Sequence, residues 1–119
     1  MRNHRKLNAF QLADALVLEI YRATIDFPKH EMFGLTSQMR RAAVSITSNI
    51  VEGCGRHTEA DYLRFLDMAY ASSCELQYQI TLAARLGFLS EKQNESIESA
   101  CIKASKVLGT LIQSYRRQG

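Results

Sequence analysis

LTSQMRRAAVSITSNIVEGCGR, Leu35 to Arg56, is the stretch on which the fold turns. Stepped at about 100° per residue, it places Leu35, Met39, Ala42, Ile46, Ile50 and Gly53 on one side. Ser37, Arg41, Ser45, Ser48 and Glu52 form a polar stripe, and Val44 and Val51 form a third, apolar one. A surface helix normally has one apolar stripe and one wet face. This segment therefore reads as a central helix with neighbours on more than one side. Thr36 or Ser37 is the expected N-cap. Gly53 and Gly55 are the expected end.

Upstream, residues 7–26 read as a first helix with Phe10, Ala13, Val17, Ile20, Tyr21 and Thr24 on its inner face. Asp14 lies at the edge of that face, where a charge needs a partner. Pro28 stops the helix, because the residue before a proline avoids the helical region. Gly34 is free to take a positive φ before the second helix. Downstream, residues 58–86 read as a third helix. Thr58 caps it, Glu59 and Asp61 suit its positive end, and Gly87 follows it. Its core stripe is Tyr62, Phe65, Leu66, Ala69, Leu76, Ile80, Ala83 and Ala84, with the small Ser72 and Ser73 in mid-stripe. Ala71, Tyr78 and Leu82 interrupt its outer side and predict an apolar interaction surface. A fourth helix over 91–115 starts at Ser90, with Gln93 at capping-box spacing. It turns Ile97, Ala100, Cys101, Ala104, Leu108, Leu111 and Tyr115 inward. Four long helices with short loops predict an all-α, antiparallel up-down-up-down four-helix bundle, one domain over 1–119.

With 119 residues, 46% of them hydrophobic, the chain can bury a core. No apolar run approaches the roughly 18 residues of a membrane span. MRNHRK is basic but no apolar segment follows it, so a cytoplasmic protein without membrane contact is expected. Cys54, Cys74 and Cys101 are scattered, as are His4, His30 and His57, which predicts reduced thiols and no zinc site. The net charge of +3 is unevenly spread. Arg2, Arg5 and Lys6 open the chain, Arg116 and Arg117 close it, and the middle is slightly acidic. Lys103 and Lys106 add charge to the second half of the last helix.

Motifs for chemistry are missing from the pattern. GCGR at 53–56 has neither the preceding strand nor the Lys–Ser/Thr of a phosphate loop. No HExxH or ExxH is present, and no His is placed to activate a Ser or Cys. No catalytic, cofactor-binding or metal residue is assigned. The polar residues of the central helix are read instead as a structural network. In it, Arg40 or Arg41 reaches Glu75 or Asp14, with Ser45, Asn49 and Glu52 completing it. Arg2, Arg5, Lys6, Lys103, Lys106, Arg116 and Arg117 are the candidate nucleic-acid-binding residues.

The sequence resembles a family of four-helix bundles encoded in intervening sequences of bacterial 23S ribosomal RNA genes. That family includes the accessory variability proteins of diversity-generating retroelements. The resemblance is carried by IYRATIDFP at 20–28, FGLTSQMRRAAVSITSNIVEGCGR at 33–56, YLRFLDMAYASSCELQYQ at 62–79 and ARLGFLS at 84–90. It covers roughly residues 8–115. Phe10 stands where the family often has Trp, Thr47 where a proline is common, Val51 where Ala is, and Ala71 where Gly is frequent. The resemblance implies a non-enzymatic bundle that assembles as a ring, commonly a homopentamer, and associates with nucleic acid. In the retroelement branch it implies a reverse transcriptase as partner.

Two functional readings follow. In the first, an oligomeric bundle without cofactors holds RNA or DNA by its backbone through basic terminal residues. In the second, the chain is a protein-interaction scaffold or accessory subunit, and Ala71, Tyr78 and Leu82 are interface.

Overall fold

A computed structural model describes residues 2–118. Four helices, α1 (Asn8–Thr24), α2 (Leu35–Cys54), α3 (Glu59–Arg85) and α4 (Glu91–Gln118), build a rod of 45 × 23 × 20 Å. One-turn 3-10 helices at His4–Lys6 and Lys29–Glu31 precede α1 and α2. No strand occurs among the described residues. The chain forms the four-helix bundle that its periodicity predicts. Each helix packs on its sequence neighbours and α1 closes onto α4, while the backbones of the diagonal pairs stay further apart.

Cross-helix bonds fix the direction of each pair. Arg2 N–H donates to Cys54 O and Arg40 Nε to Thr24 Oγ1, so α1 and α2 run oppositely. Ser45 bonds Ser72 while Gly53 packs on Tyr62 and Phe65, so α3 runs against α2. Ser105 bonds Ser73 while Arg116 pairs with Asp67, so α4 runs against α3.

The caps show where local chemistry was legible. Thr58 Oγ1 accepts from Asp61 N–H at 3.1 Å. Ser90 and Gln93 form the reciprocal box, Gln93 N–H to Ser90 Oγ and Ser90 N–H to Gln93 Oε1. At α2 the expected Thr36 or Ser37 cap is replaced. Glu31 Oε1 accepts from Leu35 N–H at 2.9 Å, and Thr36 is buried. Gly34 keeps a negative φ of −112°, and a Cβ there would lie 2.7 Å from Glu31 Oε1, the oxygen that accepts from Leu35 N–H. The positive-φ glycine among the described residues is Gly87, at 80°. Of the two glycines expected to end α2, Gly55 is its C-cap, whereas Gly53 lies inside the helix and serves the close approach of α3.

The core joins all four helices around Leu16, Ile20, Met39, Ile46, Ile50, Tyr62, Leu66, Leu76, Ile80 and Leu108. In α1 the buried face differs from the expected one. Ala9, Ala13, Leu16, Ile20, Ala23 and Thr24 are buried, while Phe10 and Val17 are partly covered and Tyr21 is exposed. Alanines at this face let α1 approach its neighbours closely, and that packing outweighs the larger side chains. Ser105 and Ile112 join the buried face of α4, whereas Ala100, Leu111 and Tyr115 are partly covered. Ser73 Oγ accepts from Ser105 Oγ–H at 2.8 Å and donates to Tyr70 O, so this buried hydroxyl pair is satisfied.

Two acidic side chains in this core are held neutral. Burial pushes the Cys101 thiol up to about 12 and raises the Tyr62 hydroxyl as well. The unfolded thiol ionises near 9.0. Above that pH the unfolded state sheds a proton that the folded state keeps, so stability falls as pH rises. Thermal melts from pH 8 to 11 should show a falling midpoint, with a shallower fall in Cys101→Ala. A flat midpoint across this range would contradict the assignment.

Candidate functional site

The antiparallel order brings both chain ends together. The 3-10 turn His4–Lys6, the end of α2, the start of α3 and the end of α4 share one end of the rod. That end carries Arg2, Arg5, Lys6, Arg56, Arg64, Arg116 and Arg117 against Glu52, Glu59, Asp61 and Asp67. Cations therefore outnumber carboxylates there.

The seven candidate nucleic-acid residues are not equivalent. Arg2 is half-buried. Its guanidinium lies 3.8 Å from the Tyr62 ring centroid and 5.4 Å from that of Tyr115, and its Nε–H donates to Tyr115 Oη at 3.4 Å. The hydrogen bond to Tyr115 raises its pKa further. Arg2 thus closes the bundle end over Tyr62, whose hydroxyl is buried without a hydrogen-bond partner, and over the buried Cys54. Burial raises the Cys54 thiol pKa and the Arg2 charge partly offsets this. Arg116 pairs with Asp67. Arg5, Lys6 and Arg117 are exposed and outside every ion pair of the described residues. Lys103 and Lys106 lie elsewhere. They line a groove on the outside of α4, together with Glu95 and Glu98, about 15 Å along the helix from the basic end.

Sequence reasoning missed Arg56 and Arg64. Both guanidiniums lie 4.6 Å from the centroid of the Phe65 ring. The available signal was a basic residue beside Phe65 and another just after Gly55, at the junction of two helices.

The expected polar network is rearranged. Asp14 is exposed and joins no ion pair among the described residues, because α1 is rotated to bury its alanines. Arg40 reaches no carboxylate. It donates to Thr24 Oγ1 at 2.9 Å and to Tyr21 O at 3.4 Å, and lies over the Tyr21 ring at 4.7 Å. Arg41 and Glu75 line one polar groove of about 430 Å³ with Gln38 and Ser45, without forming an ion pair. Glu52 pairs with Arg56 at 3.1 Å. Ser45 and Asn49 do meet. Asn49 Nδ2 donates to Ser45 O and Oγ, and Ser45 Oγ bonds Ser72 Oγ at 2.8 Å. The hydroxyl of Thr47, where a proline is common, donates to Val44 O at 2.9 Å.

The exposed apolar surface also differs from expectation. Leu82 is half-buried against the core, which leaves Ala71 and Tyr78 flanking the charged Glu75. The larger apolar surface follows α1, its loop and α2. Leu18, Tyr21 and Ile25 stand one turn apart on α1 and its end, Met32 and Phe33 follow in the loop, and Val44 and Val51 lie on α2. Arg40, stacked on Tyr21, joins the two helices of this flank. Ile25 is 71% exposed and Phe33 94%.

Among the described residues no cluster of His, Cys, Asp or Glu could hold a metal, and no helix is long and apolar enough to cross a membrane. The family model of the 23S rRNA-intervening sequence protein matches residues 5–110. The chain belongs to this family. Membership spans all four helices and both ends of the α1–α2 flank. A crystal structure of a protein with unknown function from the S23 ribosomal protein family of Bacteroides thetaiotaomicron is similar in fold. Its TM-score is 0.78 at 23% identity, covering 87% of this chain and 97% of that one. No curated protein matches the chain.

Proposed function

We propose that this 23S rRNA-intervening sequence protein works through two surfaces and not through catalysis. Copies join through the α1–loop–α2 flank into a ring, a homopentamer, in the cytoplasm. The basic end of each copy holds RNA or DNA by its phosphates. The observation that carries this reading is segregation along the rod: cations from both termini gather at one end, and the most exposed apolar side chains, Phe33 and Ile25, sit towards the other. Arg5, Lys6 and Arg117 are exposed at this end and outside every ion pair of the described residues, Arg116 is exposed but paired with Asp67, and Lys103 and Lys106 lie apart beside Glu95 and Glu98. Repetition around a ring would turn a weak phosphate contact into a firm one through avidity.

Filter binding with labelled RNA and DNA tests this. Retention should be strong at low salt and fall by about 10-fold or more between roughly 50 and 200 mM, since phosphate contacts release counterions. Negligible retention of both at either salt would contradict it.

A second reading has its own support. Phe33 is nearly fully exposed, and Tyr78 is 61% exposed on a different face. An accessory subunit would use such side chains to hold a protein, for example a reverse transcriptase. A pull-down that survives nuclease treatment would favour this reading.

A further inference from the structure

We propose that Arg56 and Arg64, both set on the ring of Phe65, form a two-point clamp for neighbouring phosphates of one nucleic-acid strand. The proposal rests on the basic end being a nucleic-acid surface and names the residues that do the gripping. Four observations carry it.

The anchor is fixed. Phe65 is buried, and its Cβ lies 3.0 Å from where a Cβ on Gly53 would stand, in a close contact of α2 and α3. Each guanidinium carbon is 4.6 Å from the same ring centroid, so the two are no more than twice that distance apart. Long arginine side chains ordinarily lose rotamer freedom on binding, and side chains already held against a ring lose less.

Their present partners are easily exchanged. Arg56 pairs with Glu52 at 3.1 Å and Arg64 with Asp61 at 3.6 Å, and all four side chains are substantially exposed. Exposed pairs of this kind contribute little, because water and salt screen them. A phosphate offers a guanidinium two acceptor oxygens in the matching fork geometry.

Of the other arginines at this end, Arg2 is held against Tyr62 and Tyr115, and Arg116 pairs with Asp67 across helices with no aromatic ring beneath it among the described residues. Arg5, Lys6 and Arg117 supply a diffuse field around the clamp without a fixed geometry.

The surroundings favour a strand over a lipid surface or an acidic peptide. A membrane surface needs apolar anchors beside the cations, and Ile25, Met32 and Phe33 lie towards the opposite end of a 45 Å rod. A fixed pair of cations suits a polymer with a regular charge repeat. Carboxylates on a flexible peptide gain little from it.

The test uses the full chain and a fluorescein-labelled single-stranded RNA, read by anisotropy between about 50 and 200 mM salt. Arg56→Gln with Arg64→Gln should lower the slope of log affinity against log salt by about 1.4, that is 0.7 for each lost phosphate, and weaken low-salt binding on the order of tenfold. Arg56→Lys with Arg64→Lys should keep the slope and lose part of the affinity, which separates charge from ring-anchored geometry. If the double Gln variant binds as wild type while Arg5→Gln, Lys6→Gln and Arg117→Gln together abolish binding, the clamp is wrong and the basic end stands. If wild type binds no RNA even at low salt, clamp and basic-end reading fall together. Displacement of the RNA by poly-glutamate as readily as by unlabelled RNA also overturns the clamp, in favour of an acidic peptide.

Discussion

Gly53→Val should destabilise the bundle by about 3 kcal/mol, the upper part of the usual range for overpacking a core. A Cβ at Gly53 would meet Phe65 Cβ at 3.0 Å, Tyr62 O at 3.3 Å and the Tyr62 ring at 3.4 Å. Two of these neighbours are backbone or first side-chain atoms of α3 and cannot swing aside. Valine adds two methyl groups to this contact, so α2 and α3 must separate. Gly53→Ala is the instructive control. Alanine in a helix gains up to about 1 kcal/mol over glycine, and the tight contact with Phe65 offsets that gain. The alanine variant should therefore melt within a few degrees of wild type, and the valine variant on the order of 10 °C lower. Equal midpoints for valine and wild type would mean that α2 and α3 do not approach this closely. The Arg56–Phe65–Arg64 arrangement would then lose its fixed base.

The second large effect concerns assembly. Ile25→Glu with Phe33→Glu should break the proposed ring into monomers without lowering the helix content. Ile25 is 71% exposed and Phe33 94%, so a single copy loses little packing from the change. Burying such side chains between copies is worth about 1.5–3 kcal/mol each. Losing both would weaken association by roughly 10²–10⁴-fold, at 1.4 kcal/mol per factor of ten. Introduced carboxylates make burial costlier still. Light scattering beside circular dichroism reads both quantities. A variant that keeps the wild-type mass would place the interface on another face, with Tyr78 as the next candidate.

The fold was legible in the sequence because long helices repeat their signal. α4 has one apolar stripe over about five turns, from Ile97 to Tyr115, and Thr58, Ser90 and Gln93 mark helix starts by short-range hydrogen bonds. What periodicity cannot supply is rotation. Phe10, Val17 and Tyr21 drew the inner face of α1 towards themselves, whereas close packing selected Ala9, Ala13 and Ala23. That rotation also turned Asp14 outward and removed it as a partner for Arg40. The functional residues divide similarly. Clustering of the two basic termini follows from an even number of antiparallel helices and could be anticipated. The burial of Arg2 over Tyr62 and the sharing of Phe65 by two arginines depend on which side chains meet across helices. Spacing along one helix does not encode that.

Sedimentation equilibrium on the wild-type chain tests the account most directly, because the α1–loop–α2 flank is held to be covered by further copies. The expected mass is several times the 13.5 kDa of one chain, five times for a pentameric ring. A single species of 13.5 kDa at micromolar concentration would contradict it.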